Sequence, residues 1–151
     1  MPKIDRKLIS KKNEIVANLK KFVKSENVLD HEDQTRPFET DALSAYKQKP
    51  LVVIFPETTE EVSKILSYCN KEKIKVVPRG AGTGLSGGAL PLADCVLLCL
   101  GKFNKILNID YKNKCVVAQP GVTNLSITQA VQDNGYYYAP DPSSQIACSI
   151  G

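Results

Sequence analysis

The chain has 151 residues, of which 42% are hydrophobic and 24% are charged, close to the averages of globular proteins. A chain of this length can bury one core, and no run of 18 uncharged apolar residues predicts a transmembrane helix or export leader. The formal charge of +4 is unevenly distributed along the chain, because residues 1–24 carry eight basic and two acidic side chains. Since the basic excess is confined to this terminal segment, we do not expect nucleic-acid binding.

The basic segment, residues 1–24, is predicted to form a helix docked on the body of the protein. Its apolar residues recur at roughly helical spacing at Ile4, Leu8, Ile15, Leu19, Phe22 and Val23. Such a helix can also lie on a membrane, but the apolar face is thin. Residues 25–48 are polar and acidic and are expected to be irregular, with at most a short helix. The sequence therefore predicts a terminal lead-in over residues 1–47 and a domain over residues 48–151.

A parallel sheet is predicted from Pro50 onward. The run LVVIF is typical of a buried strand, and Thr58 with Glu61 forms a helix-capping signature. The helix is expected to bury Val62, Ile65, Leu66 and Cys69. A second strand follows at residues 74–78, so residues 51–78 form a strand–helix–strand unit with a right-handed crossover.

Residues 78–89, with the sequence PRGAGTGLSGGA, hold five of the nine glycines. This density predicts a backbone that turns tightly and approaches a ligand closely. Successive free N–H groups in such a loop form a concave anion site, typically for a diphosphate. Arg79 is expected to add positive charge or to order the loop. A plain turn is the alternative, but it would need only one or two glycines.

Two familiar phosphate sites are excluded. Gly82, Gly84 and Gly87 match the G-x-G-x-x-G dinucleotide fingerprint, but those glycines should open a helix. Here Gly88 and Pro91 interrupt the chain before another apolar run, CVLLCL. A P-loop is excluded because no Gly-Lys-Ser or Gly-Lys-Thr follows. The sequence thus predicts a diphosphate site of a third architecture.

The rest of the chain predicts a hairpin and a helix. Two apolar runs flank a turn at residues 111–114, and the second run ends at Pro120-Gly121. Thr123 is expected to cap a helix that Gly135 ends. Tyr136, Tyr137 and Tyr138 are interpreted as a core strand rather than a platform for stacking a ring.

The five cysteines at positions 69, 95, 99, 115 and 148 do not predict a metal site. They include no Cys-x-x-Cys pair, and the chain has one histidine. Cys95 and Cys99 are expected to lie buried on one face of a strand. An odd number of cysteines without an export signal favours a reducing cytoplasm.

The segments PFETDALSAY, PRGAGTGLSGGALP, AQPGV and PDPSSQIACSIG together resemble the N-terminal part of FAD-linked oxidases of the vanillyl-alcohol oxidase or PCMH type. Within that family they are most similar to flavin-binding subunits of bacterial glycolate oxidases and to D-lactate dehydrogenases. The resemblance runs from about Pro37 to Gly151. It implies an α+β, two-lobed PCMH-type FAD-binding domain, in which a small parallel strand–helix–strand lobe precedes the start of a mainly antiparallel lobe.

The resemblance also implies which residues bind FAD. It places the diphosphate at the glycine loop, on Arg79, Gly80, Ala81, Gly82, Thr83, Gly84 and Gly87. It places the adenine and ribose side at Pro140, Asp141, Pro142, Ser143, Cys148, Ser149 and Gly151. Some relatives attach the flavin to a histidine of the loop, whereas Thr83 stands there in this chain, so FAD is expected to be bound non-covalently.

The implied function is oxidation of a small 2-hydroxy acid, glycolate or D-lactate, by hydride transfer to FAD. No catalytic base is assigned, because His31, the only histidine, is expected to be an exposed loop residue. The chain is therefore expected to be an N-terminal fragment that is inactive alone. The alternatives are another FAD-linked alcohol or sugar oxidoreductase on the same scaffold, and a non-catalytic module that binds flavin or another diphosphate.

The resemblance further implies an electron-accepting partner, an iron–sulfur subunit or another acceptor. The expected location is the cytoplasm, at the inner face of the membrane through partners. Any membrane contact is expected to be peripheral.

Overall fold

The computed structural model describes residues 3–140 and 142–151. The helices are α1 (Arg6–Ser10), α2 (Lys12–Leu19), α3 (Glu32–Thr35), α4 (Thr59–Lys71) and α5 (Asn124–Val131). The strands are β1 (Val28–Leu29), β2 (Val52–Ile54), β3 (Lys75–Arg79), β4 (Cys95–Cys99), β5 (Ile106–Asp110) and β6 (Cys115–Ala118). Among the described residues, no helix is long and apolar enough to cross a membrane.

A four-stranded sheet in the order β1-β2-β4-β3 forms the centre of residues 3–103, which we call the parallel-sheet lobe. Strands β2, β4 and β3 run parallel, and β1 pairs antiparallel with β2 at the edge. Every residue of β2 and β4 is buried, as expected for parallel strands covered on both faces. Cys95 and Cys99 lie buried in β4, as predicted.

The predicted strand–helix–strand unit is β2, α4 and β3, but its two strands are not neighbours, because β4 lies between them. Thr58 caps α4 by accepting a hydrogen bond from the Glu61 N–H at 3.2 Å. Ile65 and Cys69 are buried beneath the helix. Leu66 is 44% exposed, so the prediction that it faces the core was wrong. It lies about 100° around the helix from Ile65, beyond the edge of the apolar stripe.

The basic N-terminal segment forms two short helices, broken at Lys11, instead of one. Its second half docks as predicted: Ile15, Val16, Leu19 and Val23 join the core beneath the sheet. Its first half has exposed isoleucines at positions 4 and 9. Strand β1, in the stretch expected to be irregular, was missed because two residues are too few to show a periodic pattern.

Residues 104–151 form a second unit, which we call the hairpin lobe. Strands β5 and β6 pair antiparallel around a turn at residues 111–114, as predicted. Thr123 caps α5 by accepting a hydrogen bond from the Ser126 N–H at 3.2 Å. Gly135 ends the following 3-10 turn with a left-handed φ of 76°, which glycine adopts without strain.

The three tyrosines after Gly135 do not form a core strand, so that interpretation was wrong. Tyr137 is 75% exposed, and the ring of Tyr136 lies 5.5 Å from the ring of Tyr111. With Tyr138 they line a surface pocket of about 210 Å³ beside the hairpin. The left-handed turn at Gly135 places this segment on the outside of the lobe, where no described strand pairs with it.

Candidate functional site

A cleft of about 380 Å³ opens where β3 ends, between the two lobes. Its lining combines residues of the glycine loop and of the chain's last segment: Pro78, Arg79, Gly80, Ala81, Gly82, Thr83, Gly84, Ala89, Leu100, Ser149 and Gly151. The carboxyl ends of parallel strands are where α/β sheets bind ligands, because the loops that follow them converge there. The structure thus brings together two motifs that are far apart in the sequence.

Ser149 joins the last segment to the glycine loop. Its hydroxyl accepts a hydrogen bond from the Ala81 N–H at 2.9 Å and donates one to the Gly151 carbonyl oxygen at 3.1 Å. Gly80 lies beneath this contact. A Cβ at Gly80 would lie 2.2 Å from both the Gly151 carbonyl oxygen and the Ser149 Oγ. Glycine is therefore required at position 80 for the two segments to meet.

The AQPGV segment holds the far side of the cleft in place. Pro120 accepts a hydrogen bond from the Gly151 N–H at 2.9 Å, and Val122 accepts one from the Ile150 N–H at 3.0 Å. Gly121 donates to the Phe103 carbonyl oxygen at 2.7 Å. A Cβ there would meet three carbonyl oxygens of residues 100–103 within 3.0 Å. This close backbone contact joins the hairpin lobe to the end of β4.

The backbone of the glycine loop carries a series of free donors. Within the described part of the chain, the N–H groups of residues 82–89 donate to no protein acceptor. Gly82 and Gly87 have φ values of 74° and 75°, a left-handed conformation that glycine adopts without strain where the loop turns tightly. Free amides at a cleft fit an anionic ligand such as a diphosphate, because each would otherwise need water or a ligand as acceptor.

The side chain of Arg79 points from the loop toward residues 38–40. Its Nη1 donates a hydrogen bond to the Thr40 carbonyl oxygen at 2.6 Å, and its guanidinium carbon lies 5.8 Å from the centre of the Phe38 ring. Its Nη2 would lie 2.3 Å from a Cβ at Gly82. Of the two expected roles of Arg79, these contacts match ordering of the loop. Thr40 and Phe38 were not predicted to take part, although PFETD was recognised as a motif.

Other predicted site residues lie outside the cleft lining. Gly87 follows the part of the loop that lines the cleft, and Pro142 and Ser143 are exposed. Cys148 is buried, and its carbonyl oxygen accepts a hydrogen bond from the Asn124 N–H. The Pro140 carbonyl oxygen accepts one from the Asn124 side chain at 2.8 Å. Asp141 lies outside the described residues.

Leu100 and Ala89 line the cleft but were not predicted as site residues. Leu100 directly follows β4, the strand beside β3, and its N–H donates to the Arg79 carbonyl oxygen at 2.9 Å. The rule that loops after neighbouring parallel strands converge would have found Leu100 once the strand order was known.

A charge cluster fixes the loops at the same edge of the sheet. Glu57, which follows β2, accepts hydrogen bonds from Lys102 at 2.7 Å, Lys24 at 2.9 Å and Asn27 at 3.1 Å. The hydrogen bonds from Lys102, Lys24 and Asn27 lower the pKa of Glu57 to about 2. The carboxylate thus stays charged and ties the loop after β4 to the loop after β2.

Within the described ranges, no cysteine lines the cleft and no metal centre is present. No three His, Cys, Asp or Glu residues there are grouped to hold a metal ion. Burial raises the pKa of Cys99 to about 12 and that of Cys95 to about 11, so both thiols stay protonated near neutral pH. His31 is exposed at the start of α3, as predicted.

Comparison with known proteins identifies the scaffold. The family described as an FAD binding domain matches residues 50–151. The chain is 46% identical over 151 residues to the glycolate oxidase subunit GlcD of Escherichia coli, covering all of this chain and 29% of that protein. It is 37% identical over 128 residues to a D-lactate dehydrogenase of Anaerostipes hadrus, covering 84% of this chain and 27% of that protein. The chain thus spans less than a third of the length of these curated relatives.

A solved structure of p-cresol methylhydroxylase with bound substrate is similar, with a TM-score of 0.73 and 26% identity. The match covers 87% of this chain and 26% of that one. The expected α+β, PCMH-type fold is therefore confirmed.

Proposed function

This chain belongs to the FAD-binding domain family, and from that premise we propose that it is the FAD-binding part of a flavin-dependent oxidoreductase of small 2-hydroxy acids. The observation that carries the proposal is that Gly82, Thr83 and Gly84 line a cleft closed by the last segment, and that their backbone amides donate to no acceptor in the described part of the chain. FAD is the cofactor, and its diphosphate supplies the anion that this backbone fits.

The proposed binding mode relies on backbone more than on charge. The amides of Gly82, Thr83 and Gly84 would hold the diphosphate, while the Ala81 amide is already bonded to Ser149. The last segment, through Ser149 and Gly151, would form the opposite wall. Thr83 offers no imidazole for a covalent link, so we propose that FAD is bound non-covalently.

Bound FAD accepts a hydride, the step that a 2-hydroxy-acid oxidation requires. The residues of this chain would bind and orient the cofactor. Among the described residues, no His, Asp or Glu lines the cleft, so none is placed to take the hydroxyl proton of a substrate. This chain's share of the proposed reaction is therefore cofactor binding.

The names of the relatives support the substrate class. One is a glycolate oxidase subunit and another a D-lactate dehydrogenase, and both names specify a 2-hydroxy acid. We propose glycolate or D-lactate as substrate. The word subunit in the first name supports an electron-accepting partner, for which an iron–sulfur subunit is our proposal. The proposed location is the cytoplasm, at the inner membrane face through that partner.

The test is a flavin titration and reduction of the natural protein at full length. We expect the apoprotein to take up FAD with oxidised-flavin absorbance bands, and to release it on denaturation. Gly82→Ala should weaken binding, because the position is left-handed and a Cβ would meet the Arg79 guanidinium. Gly88→Ala is the matched control, since no atom lies within 4 Å of a Cβ there.

Substrate assignment follows from anaerobic bleaching of the bound flavin. Bleaching by glycolate or D-lactate, with L-lactate as the stereochemical control, is the expected result. Bleaching only by an aryl or sugar alcohol would show that the proposed substrate class is wrong, although the proposed flavin site would still hold. Uptake of FAD without bleaching by any alcohol would favour a binding module, and no uptake would contradict the site itself.

A further inference from the structure

Three groups of the protein contact the Arg79 guanidinium. One nitrogen donates to the Thr40 carbonyl oxygen, one face lies over the Phe38 ring, and the remaining atoms lie against Gly82. A guanidinium has a rigid, planar set of donors, and its orientation is fixed once it stacks and donates together. These contacts fix the orientation of the Arg79 side chain toward residues 38–40.

We infer that Arg79 is a positioning residue: it fastens the glycine loop to residues 38–40 and does not neutralise the FAD diphosphate. This inference rests on the proposed FAD site. The binding surface for the diphosphate is then the loop backbone, and its shape depends on the hydrogen bond from Arg79 to Thr40.

The inference assigns a role to a segment that the family match does not include. That match begins at residue 50, whereas Phe38 and Thr40 precede it. Phe38 is itself held by an edge-to-face contact with Phe55, which directly follows β2, at 5.7 Å between ring centres. The support of the glycine loop thus runs from β2 through Phe55 and Phe38 to Arg79 and Gly82.

Gly82 is the point where this support meets the loop. Its left-handed φ of 74° already favours glycine, and a Cβ would overlap Nη2, Cζ and Nε of Arg79 at 2.3–2.7 Å. The absent side chain leaves space for the guanidinium as well as for a ligand. Residue 82 is therefore glycine for two independent reasons.

The test measures how FAD affinity depends on ionic strength in the natural full-length protein and in its Arg79 variants. Arg79→Met should weaken binding about 10-fold at every salt concentration, because the loop loses its attachment, and the lost guanidinium makes no direct phosphate contact whose strength would depend on salt. Parallel salt dependences of wild type and variant are expected. A wild-type affinity that falls with salt, together with an Arg79→Met affinity that does not, would show direct charge pairing and overturn the inference.

Two further variants keep the inference testable if Arg79→Met fails to fold. Phe38→Leu should weaken FAD binding about 3-fold although Phe38 does not line the cleft. Phe55→Leu loosens Phe38 but leaves the ring beside Arg79 in place, so it should weaken FAD binding less than Phe38→Leu does. Equal affinities for the Phe38→Leu and Phe55→Leu variants would contradict the inference.

Arg79→Lys provides a rescue test, because it restores the charge without the planar, stacking group. Affinity close to that of Arg79→Met is expected, and wild-type affinity would overturn the inference.

Hydrogen exchange of the Ala81 amide in the apoprotein separates the two proposals. Arg79→Met should speed this exchange without any flavin, since the Ala81–Ser149 hydrogen bond depends on the loop being held. If exchange is faster in the variant but the protein never binds FAD, the proposed function is contradicted and the role of Arg79 in holding the loop is supported. Unchanged exchange in a protein that does bind FAD would defeat the loop attachment alone.

Discussion

The two lobes bury their strands to very different extents. In the parallel-sheet lobe, the residues of β2 and β4 are buried on both faces, and the N-terminal helices and α4 cover the sheet. In the hairpin lobe the sheet has two strands, and Leu107 and Val117 are 59% and 53% exposed. A two-stranded hairpin is marginal by itself. The cleft therefore lies between one wall with a large core and one wall in which a few buried side chains of α5 and its neighbours, Val122, Ile127 and Val131, are joined by backbone contacts to residues 100–103.

The largest expected difference between the lobes is the cost of removing a leucine. Leu97→Ala in β4 should lower the free energy of unfolding by about 3 kcal/mol, because Leu97 is fully buried and its loss leaves a cavity. Leu107→Ala in β5 should change it by less than about 0.5 kcal/mol. Urea unfolding of both variants provides the comparison, and equal losses would show that the hairpin is covered as well as the parallel sheet.

The contact between the lobes is tested at Gly80. Gly80→Ala should weaken FAD binding about 30-fold, as expected for about 2 kcal/mol of overpacking where a Cβ meets Ser149 and Gly151. Gly88→Ala, in the same loop, has open space around its Cβ and is the control. Isothermal titration with FAD measures both. Wild-type affinity in Gly80→Ala would mean that the two segments need not touch for binding.

The helix caps compare the lobes at matched positions. Thr58→Ala and Thr123→Ala each remove a hydroxyl that accepts one backbone N–H at a helix start, and each should cost about 1 kcal/mol. Serine at either position should restore most of the loss. A much greater loss at Thr123 in thermal unfolding would show that its second hydrogen bond, with the Ser126 hydroxyl at 2.6 Å, or its bridge to Ser149 adds to the cap.

The smallest effect at neutral pH is expected at Glu57. Its pKa falls from 4.5 to about 2 on folding, so its ion pairs contribute stability above pH 4.5. That contribution is lost as pH drops from 4.5 toward 2. Glu57→Gln should therefore flatten the acid limb of the unfolding midpoint against pH, while exposed Glu72→Gln should leave it unchanged. An unchanged acid limb in Glu57→Gln would show that groups other than Glu57 cause the loss of folding stability at low pH.

Local patterns in the sequence predicted most of the elements. Apolar runs identified β2 and β4, and threonines placed the starts of α4 and α5, because caps and buried strands depend on nearby residues. The position of β4 between β2 and β3 could not be predicted, since strand order is set by packing over the whole sheet. The break at Lys11 and the exposure of Tyr137 were also missed, because neither residue carries a local sequence signal for them.

The candidate site was predicted unevenly. Glycine density located the loop, and the resemblance to FAD-linked oxidases implied that the last segment belongs with it. The partners of Arg79 could not be predicted, because a side chain's direction depends on residues about 40 positions away in the chain. From residue type alone, Arg79 could either add positive charge to the site or order the loop. The choice between these roles depends on where its side chain lies.

The glycine loop is also the connection between two adjacent parallel strands. Strand β3 ends at Arg79, opposite Cys99, and β4 begins at Cys95, opposite Lys75, so residues 80–94 must bring the chain back along the full strand length of about 17 Å. Such crossovers usually contain a helix, whereas this one consists of loop alone. Its length is therefore set by the return path as well as by the ligand. Shortening it would strain the pairing of β3 with β4 even in the absence of flavin, so deletions here should be tolerated less well than substitutions.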